Sequence, residues 1–88
     1  MGLEELRKEI DELDEQILKL IARRKEVVKE IARIKKARDL PVVDVERERA
    51  HLKILKILGN ELGLEPDEVE LVFKVLILIS IMRQVTDL

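Results

Sequence analysis

From Leu3 to Ala37 the sequence contains neither Gly nor Pro, and its apolar positions recur at Leu3, Leu6, Ile10, Leu13, Ile17 and Leu20. The series continues through Arg24 to Val27, Ile31 and Ile34. The steps alternate between three and four without a slip, which marks a coiled-coil seam. The spacing predicts one helix ~50 Å long. A compact chain of this length has a radius of gyration of only ~12 Å. The helix is therefore longer than a compact monomer of this chain, and its seam calls for a partner chain. Charge says how that partner lies. Residues 1–18 carry seven acidic and two basic side chains, whereas residues 19–38 carry nine basic and two acidic. Two such helices in parallel set like charge against like, and an antiparallel pair sets acid against base. The expectation is an antiparallel homodimer.

The rest of the chain reads as two further helices. Pro41 cannot continue the first helix and pushes Leu40 towards extended geometry. Asp44 is a good N-cap for a second helix over roughly 44–58, with Gly59 and Gly63 bracketing its end and the next turn. Pro66 suits the first turn of a third helix, where Asp67, Glu68 and Glu70 meet the positive end of the dipole. That helix is expected to run to about Val85. Its segment from Leu71 to Met82 is apolar on nearly all sides and is expected to be buried almost all round. The prediction is a single all-α domain over residues 1–88, with three helices per chain.

Composition excludes several chemistries. With no Cys and one His, His51, a disulfide framework, a Cys-ligated metal and a multi-His site within one chain are ruled out. One Phe and no Trp or Tyr leave no stacking platform for single-stranded nucleic acid. The net charge of -2 and the acidic half of the long helix argue against nucleic-acid binding through residues 19–38. Leu71 to Met82 is too short to span a bilayer and contains Lys74. The N-terminus is charged from Glu4, so no signal peptide is expected, and the chain reads as soluble and cytoplasmic. A single Asn and two Gln among many Lys and Glu hint at a thermophilic or designed sequence.

Arg24 is the anomaly. A guanidinium in a seam costs stability unless something anionic pairs with it; the plain alternative is a register-setting or snorkelling Arg. Arg23 falls off the seam and reads as a solvated charge. Lys35 is eleven residues after Arg24, three turns on, and shares its side of the helix; alone it is a surface Lys. Arg7 lies ~25 Å from Arg24 along the axis. Only in an antiparallel pair does Arg7 of one chain approach Arg24 of the other. Asp44, Arg47 and Glu48 share a face of the second helix, which also fits a solvated first turn. Ser80 and Gln84 sit at i and i+4, and a Ser in so apolar a stretch also fits a bond back to its own helix. His51 is expected to be a partly exposed helix residue.

Taken in order, these pieces resemble the all-helical class of chorismate mutase. They are Leu6-Arg7-Lys8-Glu9-Ile10 with Leu13-Asp14, Arg23-Arg24, Lys35, the segment Pro41-Val-Val-Asp44-Val-Glu-Arg47-Glu48-Arg49, and Ser80 with Gln84. The resemblance covers residues 3–84. It implies three helices per chain entwined as a homodimer with two sites shared between chains. It implies the Claisen rearrangement of chorismate to prephenate, in the shikimate pathway of aromatic amino acid biosynthesis, with no metal or cofactor. By position, it assigns the substrate carboxylates to Arg24 and to Arg7 of the other chain. It assigns the ether oxygen to Lys35 and Gln84, the ring hydroxyl to Glu48 and the Asp44 region, and support of the carboxylate end to Ser80 and Arg47. Rival readings are an isochorismate pyruvate lyase on the same scaffold and a helical dimer without activity. The rearrangement needs a clamp that folds the substrate, because holding the reactive conformer removes part of the barrier. It also needs donors aimed at the ether oxygen, where negative charge grows as the C–O bond breaks.

Overall fold

The computed structural model describes residues 2–86. Helix α1 spans Leu3–Ala37, α2 spans Val45–Glu61 and α3 spans Pro66–Thr86. The molecule measures 54 × 25 × 15 Å, with a radius of gyration of 16.1 Å, well above that of a compact chain this long. α3 packs against both α1 and α2, which do not pack on each other.

Local chemistry accounts for each boundary. Glu4 and Glu5 lie in the first turn of α1, and Lys35 and Lys36 in its last, matching the helix dipole at both ends. Asp44 caps α2, its carboxylate accepting from the Arg47 backbone N–H at 3.1 Å. Pro66 opens α3, and Glu68 accepts from the Glu65 N–H at 2.9 Å, satisfying a donor that the helix leaves free.

α2 runs to Glu61, three residues past the expected end at 58. Gly63 is the residue that stops it, with φ of 81°. This left-handed position lets the Leu64 N–H reach the Gly59 carbonyl at 2.8 Å and the Gly63 N–H reach that of Asn60 at 3.1 Å, a Schellman closure. Gly59 lies inside the helix and is buried. A Cβ there would stand 2.5 Å from Cγ2 of Val69, so the glycine lets α2 approach α3.

The expectation that α3 is buried almost all round does not hold in the single chain. Val69 and Gln84 are its buried residues, and Leu71, Val72, Val75, Leu78, Ile79 and Met82 are exposed. The reason is geometric: two neighbours cannot cover a helix on every side. The seam of α1 is bare as well. Its nine apolar side chains are all at least 41% exposed. α3 takes a different stripe of α1, where Ile21, Arg24, Val28, Ala32 and Lys35 are half-buried. That stripe adjoins the seam, and Arg24 lies on the border of both. Among the described residues, no helix is long and apolar enough to cross a membrane.

Candidate active site

The groove between α1 and α3 gathers four of the eight candidate residues into two pairs. In the first, Nη1 of Arg24 donates to the Leu76 carbonyl at 3.2 Å and to the Ser80 hydroxyl. Ser80 in turn donates to the Leu76 carbonyl at 2.9 Å. The expected bond of Ser80 back to its own helix is thus present, and the same hydroxyl also receives the arginine. A guanidinium carries five N–H donors. The contacts found use the two on Nη1, so among the described residues the Nε–Nη2 edge keeps its donors. Such an edge is a planar fork of the shape a carboxylate accepts.

In the second pair, Nζ of Lys35 donates to the Val42 carbonyl at 2.7 Å and to Oε1 of Gln84 at 3.3 Å. Gln84 is only 7% exposed, and its amide nitrogen donates to the Ser80 carbonyl at 3.3 Å. An ammonium has three donors and a side-chain amide two. Each group therefore keeps one N–H beyond those its protein partners take. Both line a cavity of about 340 Å³ with Leu40 and Val42. The two pairs stand ~16 Å apart along α1, measured between Arg24 and Lys35, and α3 links them through Ser80 and Gln84.

The other four candidates stand elsewhere. Arg7 lies on the exposed N-terminal half of α1, paired with Glu4 at 3.1 Å. Asp44 spends a carboxylate oxygen on capping α2. Arg47 is exposed and Glu48 half-buried. Glu48 faces a second, larger cleft of about 670 Å³ between α2 and α3, whose walls include Ile77 and Ile81. Arg23 and His51 are exposed, as expected.

Three elements of the site had not been anticipated. The carbonyls of Val42 and Leu76 are acceptors, and a backbone acceptor has no side-chain signature. Arg83 lines a cleft of about 390 Å³ beside Gln84. Its position one residue before Gln84 was the available signal.

Away from this groove, Glu70 ties α2 to α3. It bonds Lys74 at 2.9 Å and Lys56 at 3.2 Å. These two ammonium groups, Lys74 first, hold its carboxyl below the ordinary value of 4.5.

The chain matches the chorismate mutase type II family over residues 6–85 and belongs to that family. It is similar to the chorismate mutase of Methanocaldococcus jannaschii, with 39% identity over 75 residues that cover 85% of this chain and 76% of that protein. It is also similar to the bifunctional chorismate mutase/prephenate dehydratase of Aquifex aeolicus, with 43% identity over 68 residues, 75% of this chain and 19% of that one. The T-protein of Haemophilus influenzae is 35% identical over 69 residues, 78% of this chain and 18% of its own length. The chain thus spans about a fifth of the length of the latter two.

Proposed function

We propose that this chain is a chorismate mutase that rearranges chorismate to prephenate without metal or cofactor. The observation that carries the reading is the state of Lys35 and Gln84. Both are anchored by protein acceptors, and each has one N–H to spare beside the same cavity. Two fixed donors converging on one region suit a single oxygen that gains negative charge as its C–O bond breaks. Donors already in place need no reorganisation at that moment. The reaction is unimolecular and moves no proton, so it needs neither nucleophile nor base.

The remaining roles are those the family resemblance implies by position, and charge suits them. Chorismate carries two carboxylates. The open edge of Arg24 takes one, and Ser80 keeps that guanidinium oriented. The second falls to Arg7 of another copy. The resemblance gives the ring hydroxyl to Glu48, with Asp44 and Arg47 at the same helix start; Glu48 lines the α2–α3 cleft, so this role rests on the resemblance and not on the geometry of the groove. Clamping both ends folds the enolpyruvyl arm over the ring, where the new C–C bond forms.

The second copy is part of the proposal. The bare seam, the acidic first half and the basic second half of α1 favour an antiparallel homodimer. Each of its two sites then draws Arg7 from one chain and Arg24 from the other.

The test is to mix the purified protein with chorismate, follow its absorbance and identify the product. The expected product is prephenate, an isomer of the substrate. Release of pyruvate from isochorismate instead assigns the chain to the lyase reaction. No turnover of either compound leaves a helical dimer without this activity.

A further inference from the structure

The corner between α1 and α2 closes on a single residue. The Leu40 N–H donates to the carbonyl of Lys35 at 2.8 Å, and the Asp39 N–H donates to that of Lys36 at 3.3 Å. This closure requires a left-handed residue between them, and Asp39 supplies it with φ of 55°. Asp39 is the one described non-glycine residue with positive φ. Asp enters this region more readily than most side chains, and β-branched residues hardly at all. Pro41 follows with a fixed φ and no N–H. Val42 then places its carbonyl 2.7 Å from Nζ of Lys35. Lys35 is thus held twice by the same five residues, at its backbone by Leu40 and at its ammonium by Val42.

We propose that residues 38–42 are a positioning device for the Lys35 ammonium. The left-handed turn at Asp39 and the rigid Pro41 aim the Val42 carbonyl at Nζ. That carbonyl fixes one N–H, Gln84 fixes a second, and the third is left pointing at the substrate. A lysine side chain otherwise keeps four rotatable torsions, and an exposed ammonium samples many orientations. The inference rests on the mutase reading for its catalytic consequence, and on the geometry alone for the anchoring. The role of Asp39 is conformational, since no hydrogen bond or ion pair of its carboxylate is found among the described residues.

Two variants separate conformation from charge. Asp39→Val removes the carboxylate and disfavours the left-handed backbone. Asp39→Gly removes the same carboxylate and keeps that backbone open. The first readout needs no substrate. A hydrogen-bonded, half-buried lysine ammonium exchanges its protons more slowly than a free one and gives an NMR signal at mildly acidic pH and low temperature, and Lys35→Arg identifies which signal is that of Lys35. The signal is expected in the unaltered protein and in Asp39→Gly, and is expected to vanish in Asp39→Val. The second readout is kinetic. Asp39→Val is expected to lower kcat by about tenfold to hundredfold with KM nearly unchanged, and Asp39→Gly to retain most of kcat.

An absent signal in the unaltered protein overturns the inference. So does an unchanged signal or an unchanged kcat in Asp39→Val, or equal losses in both variants. Should Asp39→Val fail to fold, replacing the Val42–Val43 amide by an ester in synthetic protein decides the matter. The ester weakens that carbonyl as an acceptor and leaves every side chain in place; the same signal and the same kcat are expected to fall. Should the unaltered protein convert no chorismate, the mutase reading fails by itself, and the NMR comparison still decides whether the corner holds the ammonium.

Discussion

The two halves of α1 carry one uninterrupted seam and live in different surroundings. Every described residue up to Leu20 is exposed, whereas from Ile21 onward a stripe is half-buried under α3. The apolar spacing is the same in both, so it does not explain the difference. Among the described residues, the second half has an intrachain neighbour and the first has none. Helices in proteins draw most of their stability from tertiary packing of an apolar face. A first half with that face bare points to support from outside the chain. The comparison also separates the two arginines. Arg24 is fixed by α3, while among the described residues Arg7 pairs with a neighbour one turn away on its own helix, a kind of pair that contributes little.

Breaking the first half is expected to have the largest effect. Leu13→Asp with Ile17→Asp places two carboxylates in the seam, and each buried, unpaired charge costs several kcal/mol. The expected result is a solution mass of one chain, reduced helix content and no detectable turnover. A dimer of normal activity would show that the seam is not the interface. Arg7→Ala leaves the fold alone, since its side chain is exposed, and is expected to lower turnover by about a hundredfold or more. Arg24→Ala should do the same. Mixed dimers of these two variants carry one intact site, and recovered activity on mixing checks that the halves of α1 serve each other across chains.

The next effect concerns the second half. Gln84→Glu replaces an amide that donates at every pH by a carboxyl that donates only when protonated. At neutral pH it is expected to lose about tenfold or more in kcat, with activity recovering as the pH falls. A pH–rate profile measures this, and a flat profile at full activity removes Gln84 from the role. Gly59→Ala tests the α2–α3 contact. Its methyl would meet Val69, and overpacking of this kind costs about 1–3 kcal/mol, to be read from chemical denaturation.

The smallest effect is at Glu70. Its carboxyl titrates below the ordinary 4.5 in the folded chain, so the folded state binds its proton less readily than the unfolded state does. The stability it lends is fully present above the unfolded value and is lost as pH falls through the lowered folded value. Glu70→Gln is therefore expected to lower stability slightly at neutral pH and to flatten the acid limb, so that the two curves converge at low pH. An unaltered acid limb would mean that the lysine contacts add nothing.

Much of the architecture was readable before the structure, because the signals are local. The start of α1 and the span of its seam, the cap at Asp44, the opening Pro66 and the three-helix count all follow from residues within a turn or two of one another. The seam arginine was readable too, since it breaks a periodic pattern. The sequence puts the end of α2 three residues early, because Gly59 has the chemistry of a stop. Inside a helix a glycine can mark a close approach, and only the partner helix distinguishes the two. The overestimated burial of α3 has a similar origin. Its apolar character is a property of the segment, but coverage depends on how many neighbours arrive.

By itself, then, the order of residues determined the helices, the side of α1 that carries Arg24 and Lys35, and the charge asymmetry that favours an antiparallel mate. Tertiary structure alone decided that Ser80 stands behind Arg24, that Gln84 and the Val42 carbonyl hold Lys35, and that Glu48 opens onto a separate cleft. The physical reason is range. Helix propensity and capping act between residues a few positions apart, whereas Lys35 meets Gln84 across 49 residues and Arg24 meets Ser80 across 56. Contacts of that separation exist only once the chain has chosen which faces to bury.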